Sequence, residues 1–164
     1  MELSYRFAII NGNTTKTIMT ADNTKLNVLL IGENIETRIV FKNALYKLDR
    51  LCSIDDHYCL DKAVSNPFKL RELKPDIIFL DTNANNCSDE VRKIRDFENF
   101  RDCSLVVYDS YSRLSDTDGI FSEGADVFIN QPYDFPRLKK VIGNIVNTNW
   151  DVSRFTSNRQ YYFL

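Results

Sequence analysis

Asp81 is the residue with the most chemical promise. It closes the stretch Pro75-Asp76-Ile77-Ile78-Phe79-Leu80-Asp81. Four apolar residues in a row, bounded by a proline and then by Thr82-Asn83-Ala84-Asn85-Asn86, predict a fully buried parallel strand. The closing carboxylate then stands at the carboxyl end of that strand, the edge where open α/β sheets gather ligands and chemistry. Other reactive residues are sparse. His57 is the only histidine. It is too isolated for a triad, a zinc site or a phosphohistidine, and its place after two acids predicts a surface position in a loop. Cys52, Cys59, Cys87 and Cys103 show no close paired spacing, which fits reduced thiols of a cytoplasmic protein rather than zinc ligation or disulfides. Gly32-Glu33-Asn34-Ile35-Glu36 carries two acids and lacks the Ser, Thr and Gly richness of a loop that holds a flavin phosphate.

The elements that must position Asp81 follow from periodicity. Leu26 to Ile31 and Leu51 to Ile54 read as strands before the Asp81 strand, Leu105 to Tyr108 and Asp126 to Ile129 as strands after it. Between them lie helical segments. Ile35 to Leu48 places Ile35, Ile39, Val40, Ala44, Leu45 and Leu48 at three- and four-residue spacing. Tyr58 to Ser65 follows, with Pro67 either opening its last turn or breaking it. Asp89 to Phe97 carries Val91, Ile94 and Phe97 on one face. Ser112 to Glu123 is polar and weakened by Gly119, and Gly124 fits its C-cap. Phe135 to Asn147 has Pro136 in its first turn and Leu138, Val141, Ile142 and Ile145 on its core side. Five alternations of strand and helix predict a doubly wound α/β domain of flavodoxin-like type, with a parallel sheet covered on both faces.

The 164 residues suffice for one such domain over 26–150 with extensions at both ends. In the extension 1–25, Tyr5 to Ile10 and Thr14 to Thr20 are β-prone runs around Asn11-Gly12, a hairpin signal; a loose tail is the alternative. The tail 151–164 ends in Gln160-Tyr161-Tyr162-Phe163-Leu164, too apolar to sit in water comfortably, and it is too short for an effector domain. The formal net charge of −2 and a pI near 5.5 argue against a nucleic-acid partner. No apolar run approaches the ~20 residues of a membrane span, and no basic region precedes an apolar core as in a secretory signal.

Several segments, in order and spacing, resemble the receiver domain of two-component response regulators. Val28-Leu29-Leu30-Ile31 resembles its first strand and PDIIFLD its third. Val106-Val107-Tyr108 resembles the fourth, Gly124-Ala125-Asp126-Val127-Phe128-Ile129 the stretch into the fifth, and Gln131-Pro132-Tyr133 falls on the family's Lys-Pro-Phe. The resemblance covers residues 26 to about 150 and is closest in look to short stand-alone receivers partnered with phytochrome-type kinases. It implies a CheY-like sheet of order 2-1-3-4-5, with Asp81 at the position that accepts a phosphoryl group from a histidine kinase. It also implies a magnesium ion held by acids after the first strand, by Asp81 and by the carbonyl of Asn83.

The same resemblance exposes departures at the pocket. The acid pair is Gly32-Glu33, so one acid is lost and a weak magnesium site of Glu33, Asp81 and Asn83 is the most that remains. The family's hydroxyl falls on Asp109, which when ionised cannot donate and repels a phosphoryl dianion. At ~4 Å and an effective dielectric of ~20, such a like-charge pair costs about 4 kcal/mol. Ser110 is adjacent, but strand alternation points it away. The family's lysine falls on Gln131, so its fixed cation is absent. The expectation is an atypical, degenerate receiver that is not an enzyme and signals through protein contacts with a kinase or another signalling protein, or with a second copy. A working phosphoacceptor at Asp81 is the alternative. In the family, a face built on the fourth helix, fifth strand and fifth helix makes such contacts, and here it would carry Arg113, Asp116, Phe128, Arg137 and Lys140. Phe128 matches the family's switch aromatic and equally suits a core position. The repulsion among the pocket carboxylates predicts that at least one of Glu33, Asp81 and Asp109 holds its proton above the usual range.

Overall fold

The structure, a computed structural model, describes residues 5–10, 13–18, 25–81, 87–109, 117–130, 134–148 and 160–163. Strands β1 (Tyr5–Ile10) and β2 (Asn13–Ile18) pair antiparallel in a two-stranded sheet, with Ile10 opposite Asn13. This is the hairpin that Asn11-Gly12 signals.

The main sheet runs β4-β3-β5-β6-β7-β8 and is parallel throughout. Its members are β3 (Leu26–Ile31), β4 (Cys52–His57), β5 (Ile77–Asp81), β6 (Ser104–Asp109), β7 (Val127–Asn130) and β8 (Gln160–Phe163). The first five have the order 2-1-3-4-5 expected from the sequence. The sixth is an addition: the last residues of the tail lie parallel to β7, with Val127 opposite Gln160 and Asn130 opposite Phe163. A four-residue edge strand presents unpaired main-chain groups, and the β-prone terminal run satisfies them.

Helices cover both faces. Helices α1 (Ile35–Tyr46) and α6 (Phe135–Val146) pack on one side, where Phe41, Leu45, Leu138, Ile142 and Ile145 meet Val28, Leu30, Phe79, Val106 and Ile129. On the other side lie α2 (Leu60–Val64), α4 (Cys87–Asp96) and α5 (Thr117–Ser122). There Leu60, Val91, Ile94, Ile120 and Phe121 meet Leu29, Ile78, Leu80, Leu105 and Phe128. Alternate residues of each strand thus serve opposite cores, as a buried parallel sheet requires.

Three local expectations change. The buried face of α1 is Phe41, Ala44 and Leu45, while Ile35, Ile39 and Val40 are exposed. Phe41 sets this rotation by packing edge-on between Phe79 (5.2 Å) and Tyr108 (4.8 Å). Pro67 opens a separate helix, α3 (Pro67–Glu72), because Asn66 caps it by accepting from the N–H groups of Phe68 and Lys69. His57 ends β4 opposite Ile31 and is half-buried, rather than sitting in a surface loop. Its carbonyl accepts from the Gly32 N–H at 3.1 Å.

Candidate functional site

The carboxyl ends of β3, β5 and β6 bring Glu33, Asp81 and Asp109 to one edge of the sheet. Asp81 closes β5 opposite Tyr108 and is half-buried. Glu33, on the turn after β3, is exposed. Asn34 fixes that turn by capping α1, its Oδ1 accepting from Glu36 N–H at 2.9 Å and Thr37 N–H at 3.3 Å. Asp109 closes β6 opposite Asn130 and is only 1% exposed. The expected site residues Asn83, Ser110 and Gln131 lie outside the described residues, as do Arg113 and Asp116 of the expected contact face.

Gly32 matters more than as a missing acid. A Cβ built on it would stand 2.6 Å from the Cβ of Asp81 and 3.4 Å from its Oδ2. The backbone of the β3 turn lies directly against the Asp81 side chain, and any larger residue forces one of them to move. The family's first acid is therefore not merely substituted; the space it would need is filled.

The sequence reading missed Glu90, in the first turn of α4. Burial pushes its carboxyl above the usual range, and the charges of Glu33 and Asp81 push it further, against a smaller pull from Lys93. The expectation placed a raised proton affinity on Glu33, Asp81 or Asp109; the residue on which burial and neighbouring charge produce it is Glu90, which that expectation did not include. Its signal in the sequence is its place in the first turn of the helix that follows the Asp81 strand.

Cations lie on the opposite flank. Arg38 on α1 donates from Nε to Asp56 Oδ1 at 2.6 Å and from Nη1 to the Gly32 carbonyl; Lys42 donates to the other oxygen of Asp56. Burial would raise Asp56, but the hydrogen bonds from Lys42 and Arg38 together outweigh it and hold the carboxyl below its ordinary value. Arg38, Thr37, Phe41, Phe79, Asp81 and Tyr108 line a cavity of about 10 Å3, room for a single water and not for an anion. Arg38 is thereby committed to Asp56 and to the Gly32 turn.

The donor set does not fit magnesium well. The ion demands near-octahedral oxygen ligation, and the described residues offer Glu33 and Asp81 with no room for a ligand at position 32. Among the described residues no group of three or more His, Cys, Asp or Glu is placed to hold a metal ion. Phe128 is 2% exposed and packs in the core on the α4 side of the sheet. Of the expected contact residues, Arg137 and Lys140 are exposed, and Arg137 Nε sits 3.4 Å from Asp134. Among the described residues no helix is long and apolar enough to cross a membrane.

No family model and no curated protein matches the sequence. Solved structures do match. A response regulator from Thermotoga maritima is 26% identical, with a TM-score of 0.60 over 76% of this chain and 100% of that one. The phosphorylated cyanobacterial phytochrome response regulator RcpA is 13% identical, with a TM-score of 0.62 over 74% of this chain and 91% of that one. The Mn2+-bound form of response regulator Rcp1 is 12% identical, with a TM-score of 0.61 over 76% and 94%. The chain has the CheY-like receiver fold.

Proposed function

We propose that this receiver-fold chain is an atypical single-domain response regulator: a signalling module that acts by protein–protein contact, with phosphotransfer at Asp81 weakened or lost. The observation that carries the reading is the approach of Gly32 to Asp81, at 2.6 Å for a notional Cβ. It closes the position from which a second acid would reach a metal. The rest of the edge is unfavourable to a phosphoryl dianion in the same sense. Asp109 is buried at the end of β6, and Glu33 and Glu90 flank Asp81, whereas Arg38 is engaged with Asp56. A phosphoryl group on Asp81 would add negative charge to a cluster that already drives protons onto Glu90. Glu33, Asp81 and the Asn83 carbonyl would hold a magnesium ion weakly at best. The module works in the cytoplasm, and its partners are a histidine kinase or another signalling protein.

The test is intact-mass measurement after incubation with acetyl phosphate and magnesium, with Asp81→Asn as the blank. The wild type stays at its unmodified mass. Asp109→Thr and Gln131→Lys each gain little, and the double variant gains more than their sum because both act on one phosphoryl group. Near-stoichiometric labelling of the wild type, abolished by Asp81→Asn, would overturn the reading in favour of a working phosphoacceptor.

A further inference from the structure

We propose that the outward face of α1 is a docking surface for a second copy of this chain, and that two copies pair there through their α1 helices, antiparallel and related by a two-fold axis. The proposal goes beyond the reading above and is independent of whether Asp81 takes a phosphoryl group.

An apolar stripe is the first support. Ile35 is 61% exposed, Ile39 47% and Tyr46 68%. At about 100° per residue these three fall within about 40° of one another around α1, in a line about 16 Å long. They lie on the side of the helix away from Phe41, Ala44 and Leu45, which face the core. Isolated exposed apolar residues need no explanation, whereas a row along one helix face is the kind of ridge that helix–helix packing uses.

The second support is the charge beside the stripe, which points to a copy of this chain as the occupant. Glu36 in the first turn of α1 and Lys47 at its C-cap are both exposed and lie on the same flank, about 20° apart around the axis. Neither makes an ion pair among the described residues. Lys47 Nζ stands 5.0 Å from the centroid of the Phe135 ring, which holds it on that flank. Arg38 and Lys42, on the other flank, are both taken up by Asp56. In an antiparallel pair centred between Val40 and Phe41, Ile35 of each copy meets Tyr46 of the other, and the two Ile39 side chains meet near the axis. Glu36 of each copy then comes to Lys47 of the other. A parallel pair would set Glu36 against Glu36 and Lys47 against Lys47, so the charges select both the partner and its direction. One helix pair buries less than the ~1,200–2,000 Å2 of a stable interface, so the pairing is weak and depends on concentration.

Sedimentation velocity of the full chain at low salt, from ~10 μM to ~1 mM, tests this. The chain passes from monomer to dimer across that range. Ile39→Glu places a carboxylate at the centre of the stripe and keeps the chain monomeric, with its circular dichroism and melting temperature unchanged. Glu36→Lys and Lys47→Glu each raise the dissociation constant about tenfold, because every dimer contains the pair twice. Mixing those two variants restores a dimer at the wild-type concentration, because both ends of the helix pair then again join opposite charges. A wild-type chain that is monomeric throughout would overturn the proposal and leave the face to a different protein. So would a dimer that survives Ile39→Glu, joined through another surface, and so would charge variants that associate no better mixed than alone. A monomeric chain whose melting temperature falls with Ile39→Glu would overturn it in favour of a segment of the same chain.

Discussion

A methyl group on Gly32 would meet the Cβ of Asp81 at 2.6 Å, so the end of β3 and the Asp81 side chain share a space that only glycine leaves open. Gly32→Ala therefore destabilises the fold by about 1–3 kcal/mol, the usual cost of overpacking, as read by urea denaturation. Gly32→Asp, the change that restores the family's acid on paper, costs at least as much and does not tighten magnesium binding when followed by amide shifts near Asp81. Glu90 makes a second prediction. Its proton affinity is raised on folding, so its protonated form favours the native state; that contribution is fully present below the unfolded-state value and is lost as pH rises through the folded-state value. Glu90→Gln accordingly raises the melting temperature at pH 7 and has no such effect near pH 3. Asp56 has the opposite sign. Its affinity is lowered, so its contribution holds above the unfolded-state value and disappears as pH falls through the lower folded-state one. Asp56→Asn reduces stability at pH 7, and the difference from wild type shrinks on acidification. Asp81 was legible because an apolar run ends on it. Glu90 was not, because nothing in a polar helix start tells which side chain turns towards a cluster that only the packed fold assembles.

Arg95 shows how the helices are locked to the sheet at the opposite edge from the site. Its Nε donates to the Gly124 carbonyl at 2.9 Å, its Nη1 to the carbonyls of Phe100 and Cys103, and its Nη2 to Asp126 Oδ2 at 2.9 Å. Asp126 in turn accepts from the Leu105 N–H at 2.8 Å. One guanidinium thus ties α4 to the entries of β6 and β7. Arg95→Met removes the cationic partner of Asp126 and a donor to several carbonyls, and costs about 3 kcal/mol in chemical denaturation, with loss of cooperativity first around α4. Strand and helix order could be read from the sequence because each strand is a short apolar run and most helices have one apolar face. The rotation of α1 could not. Its sequence offers two apolar faces, Ile35 with Ile39 and Phe41 with Leu45, and the aromatic contacts of Phe41 with Phe79 and Tyr108 choose between them. Pro67 was ambiguous for a similar reason: its effect depends on the cap that Asn66 supplies.

Taken whole, the molecule is a five-stranded receiver sheet with its last edge covered by its own terminus, and the sheet order was legible while the sixth strand was not. An apolar tail says that it needs cover but not where, since a register is fixed by the edge that receives it. Removing residues 151–164 lowers stability by about 2 kcal/mol and the melting temperature by roughly 4–8 °C, measured by calorimetry on the two chain lengths. The position of β8 also sets a schedule for the newborn chain. Domains condense from the N-terminal side as synthesis proceeds. Here the strand that completes the sheet is translated after every other strand of it, so the body has all it needs to fold before β8 emerges. Each new molecule thus passes through an interval with the β7 edge bare, closed only when β8 arrives.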